Sequence, residues 1–123
     1  MPLTLLAAGA CAGRHTAREY PADTVAGFYT AAFEDQSSFR GCDRRDYRVA
    51  QTGEFWARYR RLFAGTPQRE RPPLVFVILA ATVGPEQSTD TPPGATARTL
   101  AVTRVYEMRR ARGDECARWL AER

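Results

Sequence analysis

The apolar positions of this chain switch between two periods. Residues 74–83, reading LVFVILAATV, form an unbroken apolar run bounded by Pro72-Pro73 and Gly84-Pro85. Short length, β-branched content and flanking breakers predict a strand. Leu74, Phe76, Ile78 and Ala80 fall on one face, and Val75, Val77, Leu79 and Ala81 on the other. A strand apolar on both faces needs cover on both sides. Residues 99–110 alternate more loosely. Leu100, Val102, Tyr106 and Met108 share a face, Ala101, Thr103, Glu107 and Arg109 mark the other, and Val105 is out of step. This pattern predicts an antiparallel partner for the first run. Arg104 interrupts its apolar face and must find a carboxylate, reach a cavity or snorkel outward.

Elsewhere the spacing is helical. Val25, Phe28, Tyr29, Ala32 and Phe33 recur as one face and predict a helix over 21–35, with Pro21 at its start and Asp23 in its first turn. Gly27 lies off that stripe and weakens such a helix unless something packs close to it. Phe55, Tyr59, Leu62 and Phe63, widened by Trp56, predict a second helix over 52–64, with Thr52 as N-cap and Gly65 just past its end. Arg58, Arg60 and Arg61 suit the dipole of that helix and need no ligand to explain them. Residues 42–50, CDRRDYRVA, fit a short helix or an edge strand equally; we read a helical turn. Residues 84–98 read as a long turn-rich connection with a disordered tip. Residues 115–123 read as a closing helix with Asp114 as N-cap, a strand carrying Trp119 being the alternative.

Composition refines this picture. The 123 residues make one domain, and all 18 basic residues are arginine, for a net charge of +4. Absence of lysine beside abundant Ala, Arg, Gly and Pro looks like a coding bias, which weakens any functional reading of arginine richness. The charge is uneven: −2 over residues 1–36, +5 over 37–71 and +1 over 72–123. The basic middle, with Phe39, Tyr47, Trp56 and Tyr59, suggests nucleic acid, but Trp56 and Tyr59 belong to a core-facing stripe, so that partner is disfavoured.

The N-terminal residues 3–10 are apolar and too short to span a bilayer. Gly9 and Ala10 before Cys11 resemble the end of a bacterial lipoprotein signal peptide, in which the cysteine is lipidated. Ala8 stands where leucine is usual, and no basic residue precedes the stretch. Two readings stay open: a signal beginning upstream of Met1, with Cys11 as the membrane anchor, or an apolar tail. Residues 1–20 are accordingly a signal remnant and polar tether, and 21–123 the domain. His15, the only histidine, lies in the tether with no partner for chemistry.

If Cys11 is lipidated, Cys42 and Cys116 remain as a pair for a disulfide in an oxidising compartment, worth roughly 4 kcal/mol by loop closure. Two buried free thiols are the alternative. With one histidine and no CxxC, no metal site is expected, and no cofactor, glycine-rich phosphate loop or nucleophile–histidine pair is legible.

The order of ADTVAGFYTAAF, a basic middle, FWARYRRLF, LVFVILAATV and TLAVTRVYEM resembles nuclear-transport-factor-2-like proteins, especially small exported or lipoprotein members. The proline-started helix with its Phe28-Tyr29 pair carries the likeness, which covers Pro21 to the end. It implies an α+β fold with N-terminal helices packed on a curved antiparallel sheet, here a shortened cone, with a pocket at its open end. Arg104, Tyr106, Tyr29 and Tyr59 are the candidate ligand-binding residues, the alternative being that the three tyrosines are core aromatics and Arg104 is ion-paired. The expected function is a non-enzymatic cell-envelope protein, tethered through Cys11, whose domain binds a small molecule or a protein. The alternatives are a small pocket enzyme of isomerase or hydratase type, and a cytoplasmic arginine-rich binder of an anionic partner.

Overall fold

The computed structural model describes residues 19–30, 38–50, 53–71, 74–90 and 93–123. Cys11 and His15 lie outside the described residues, so the lipidation reading does too.

Strands β1 (Thr24–Thr30), β2 (Ser38–Gly41), β3 (Asp46–Ala50), β4 (Val75–Asp90) and β5 (Pro93–Arg110) close into a barrel in the order β1-β2-β3-β5-β4. Helix α1 (Gly53–Leu62) connects β3 to β4, and α2 (Glu115–Ala121) follows β5. Every ladder is antiparallel except β3 with β5, which is parallel. The described residues thus form a small closed five-stranded barrel with a helix between the third and fourth strands.

This overturns the expected cone of helices on a curved sheet. Within the segment read as a helix, residues 24–30 are instead β1, hydrogen-bonded to β2 on one edge and β4 on the other, and residues 31–35 lie outside the described residues. Its apolar residues satisfy both periods. Val25 and Tyr29 face the barrel interior, while Ala26 and Phe28 pack in an outer cluster. Gly27 decides between them. A Cβ there would strike the Arg40 carbonyl and lie 2.8 Å from both the Gly41 Cα and the Phe39 ring. Glycine inside a strand marks such a close approach. The segment 42–50 takes its edge-strand alternative: Arg44, in the left-handed region at φ 68°, makes the turn, and Tyr47 and Val49 then point into the core. Residues 84–90 and 93–98 are not a loose connection, while the tip at 91–92, expected to be disordered, lies outside the described residues. Both strands run on, pairing Glu86 with Arg98 and Ser88 with Thr96, as a two-stranded arm beyond the barrel.

The two long strands pair antiparallel as their patterns predict, Val77 opposite Met108 and Leu79 opposite Val105. Val75, Val77 and Leu79 fill the barrel with Leu100, Val102, Val105 and the α1 aromatics Phe55 and Tyr59. Phe76 and Ile78 face outward, where α2 covers them with Trp119. The strand thus has cover on both faces, from the barrel's own interior and from α2. Cys42, just after β2, and Cys116, in α2, bring their Sγ atoms to 2.10 Å, at disulfide bonding distance. Asp114 makes no side-chain cap to α2. Glu115 instead accepts the amides of Arg112 and Gly113 at 2.7 and 2.8 Å. Among the described residues no helix is long and apolar enough to cross a membrane.

Candidate functional site

The site follows from an irregularity in β5. Opposite Ile78 and Leu79 the register jumps from Glu107 to Val105, so Tyr106 is an extra residue in the ladder. A second jump, opposite Ala80 and Ala81, leaves Thr103 extra, and its hydroxyl donates to the Ala80 carbonyl at 3.1 Å. Such bulges turn backbone groups and side chains away from the regular pleat. They explain why Val105 was out of step: the shifts bring it inward to the core and send Arg104 and Tyr106 outward.

The ladder between β3 and β5 ends at Ala50 and Ala101. Beyond that point α1 serves the β5 edge. Arg58 Nη2 donates to the carbonyls of Val105 and Tyr106 at 3.1 and 2.9 Å. One turn earlier, Glu54 Oε1 accepts the Val105 amide at 3.4 Å. The i, i+4 spacing puts both side chains on one flank of α1, beside its buried stripe. Arg58 Nε is buried and donates to no described residue.

An open groove of about 610 Å³ lies between this flank, the bulged part of β5 and the segment at Glu19–Pro21. Arg58, Arg61 and Arg104 line it against Glu19 and Glu54, an excess of one positive charge. The Arg104 guanidinium stacks on Tyr106, 5.3 Å from the ring centre. Tyr20 forms the remaining wall. Its ring lies 5.1 Å from Tyr106 and 5.6 Å from Trp119. Burial, followed by the nearby charges of Glu107 and Glu19, pushes the Tyr20 phenol up to about 12. Arg123, two residues past the end of α2, donates its Nη2 to the Ala22 carbonyl at 3.2 Å, so the C-terminal end holds the segment carrying Tyr20. The groove wall is therefore tied, through Trp119 and α2, to the Cys42–Cys116 pair.

The four residues expected to share a pocket separate. Arg104 and Tyr106 line the groove. Tyr29 and Tyr59 are core aromatics, 0 % and 8 % exposed, with their rings 6.0 Å apart. A cone would have opened beside them; a closed barrel fills that space with Phe55, Phe63 and Leu79. Arg58, Arg61 and Glu54 do not stand out in the sequence as site residues, because the helix dipole accounts for the arginines. Their position next to the aromatic stripe, with Glu54 and Arg58 one turn apart, was the available signal. Tyr20, read as part of the tether, does not stand out either.

A second cavity, of about 400 Å³, lies where β3 meets the arm and is lined by Arg45, Tyr47, Glu86 and Arg98 among others. Burial, and then the hydrogen bond to Asp43 at 2.7 Å, raises the Tyr47 phenol above its ordinary value. Asp46 in its wall is bound to Arg40 at 2.9 Å, and two carboxylates balance two arginines there. Among the described residues no three His, Cys, Asp or Glu side chains gather as a metal site would require.

No protein-family model, curated protein or solved structure matches this chain at a significant level.

Proposed function

We propose that this chain is a non-catalytic binding domain of an oxidising, extracytoplasmic compartment, with the groove between α1 and β5 as its ligand site. The observation that carries the reading is the groove itself. Its volume falls within the range of small-molecule sites, and fixed polar groups converge on it from α1 and β5. The Cys42–Cys116 pair supports the compartment, because disulfides persist where thiols are not kept reduced. A lipid anchor at Cys11 fits the same address. Binding is favoured over chemistry because the groove's polar groups suit recognition better than proton transfer. Arg58 and Glu54 are engaged with backbone, and the Tyr20 phenol near 12 is far from a pKa useful at neutral pH. An enzyme of the cone type loses its basis with the cone. Barrel topology alone assigns no ligand.

The test is a fragment screen on the ¹⁵N-labelled protein. Hits are expected to move amide resonances at 19–21, 54–61 and 104–106 together. Hits that cluster on 45–47 and 96–98, or that leave both regions unmoved, contradict the assignment.

A further inference from the structure

We propose that the groove takes an oxyanion, a phosphate or carboxylate group, between Arg61 and Arg104. This rests on the groove being the ligand site. Of the charges lining it, Glu54 is turned to the Val105 amide and Arg58 to two β5 carbonyls. Carbonyl dipoles orient the Arg58 guanidinium without neutralising it, so it remains a fixed positive charge beside the groove. Arg61 and Arg104 are exposed and form no ion pair with a described residue. Arg104 is held in place by its stack on Tyr106. A guanidinium held over a ring by cation–π attraction keeps N–H groups that can pair with the two oxygens of an oxyanion. Tyr106 and Tyr20 lie alongside, so a flat apolar body attached to the anion has a surface to rest on.

The probe is phenyl phosphate, compared with uncharged benzyl alcohol, titrated into the full ¹⁵N-labelled chain with its disulfide intact. Phenyl phosphate is expected to shift resonances at 58–61 and 104–106 saturably, more weakly as salt rises. Arg61→Gln and Arg104→Gln each weaken it about tenfold, the scale of one charge-assisted hydrogen bond. Arg48→Gln, on the exposed face of β3, leaves it unchanged. If benzyl alcohol fills the groove equally well, or the two variants bind phenyl phosphate as the wild type does, the oxyanion inference fails and the groove assignment survives. Shifts spread evenly over all exposed arginines also overturn it. If neither probe moves a groove resonance, both readings fall. A vesicle arm separates the sources of the anion. Retention by phosphatidylglycerol but not phosphatidylcholine vesicles, lost in the double variant, assigns a lipid headgroup. Binding of phenyl phosphate without vesicle retention assigns a soluble anion.

Discussion

Replacing Gly27 by alanine separates the barrel from any helical reading of the N-terminal segment by the sign of its effect. In a helix, glycine to alanine would raise stability by about 1 kcal/mol. In the barrel, the new methyl meets the Arg40 carbonyl, the Gly41 Cα at 2.8 Å and the Phe39 ring at 2.8 Å. Two of these three obstacles are backbone of β2, and Gly27 and Gly41 face each other in register. No side-chain rotation relieves them; β1 and β2 must separate or Phe39 must leave the core. Overpacking costs about 1–3 kcal/mol, and backbone obstacles place this case at the upper end, about 3 kcal/mol. In a domain of this size such a loss lowers the melting temperature by about 15 °C. The assay is urea unfolding followed by far-UV circular dichroism, disulfide intact, comparing midpoints at constant slope. Gly53→Ala is the control, since a Cβ there meets nothing within 4 Å; it should hold or raise stability. A Gly27→Ala protein as stable as the wild type, or more stable, would refute the close packing of β1 on β2.

Three further outcomes follow from the same packing. Changing Cys42 and Cys116 together to serine should lower stability by about 4.5 kcal/mol, from a loop closed over a sequence separation of 74; the red shift of tryptophan emission (Trp56 and Trp119) on unfolding, followed in urea, measures it. The Tyr20 phenol is raised from its ordinary 10.0 to about 12, so the folded state holds its proton more tightly than the unfolded chain. Its contribution is complete below pH 10 and is lost between there and about 12; Tyr20→Phe should therefore flatten the alkaline fall in stability, read by unfolding midpoints across that range. For Glu115, burial alone would raise the carboxyl, but the amides of Arg112 and Gly113, its own amide and the Arg109 guanidinium together hold it below its ordinary value. That stability is present above the ordinary glutamate range and is lost as pH falls through the lowered folded value. Glu115→Gln should cost about 2 kcal/mol at neutral pH and reduce the acid sensitivity of the unfolding midpoint.

The central strand pair was legible because β4 carries its signal locally: ten residues, two apolar faces and proline at both ends. The helix at 53–62 was legible for the same reason, an aromatic stripe at one period. The N-terminal strand was not. Phe28 and Tyr29 sit in adjacent positions, which a helix places on one stripe and a strand on opposite faces. Only tertiary context, β2 and β4 on either edge and α2 above, makes both faces dry. The arm at 84–90 and 93–98 looked like a loop because most of its residues are polar; pairing with each other, more than burial, keeps them extended. In the site, Arg104 was visible as a break in an alternating strand, and Tyr106 only as a member of its apolar face. What gathers Arg58, Arg61 and Tyr20 around them is a pair of bulges in β5 and the docking of α2. Neither leaves a short-range signature in the sequence.

Parallel pairing of β3 with β5 is the feature from which the closed barrel, the seat of α1 and the groove all descend. Long-range nuclear Overhauser contacts in the ¹⁵N,¹³C-labelled protein report it directly. Backbone contacts are expected between the neighbourhoods of Val49 and Leu100, and between those of Val25 and Leu79, with no i, i+3 helical contacts through residues 24–30. Helical contacts through that segment, with no contact joining β3 to β5, would contradict it.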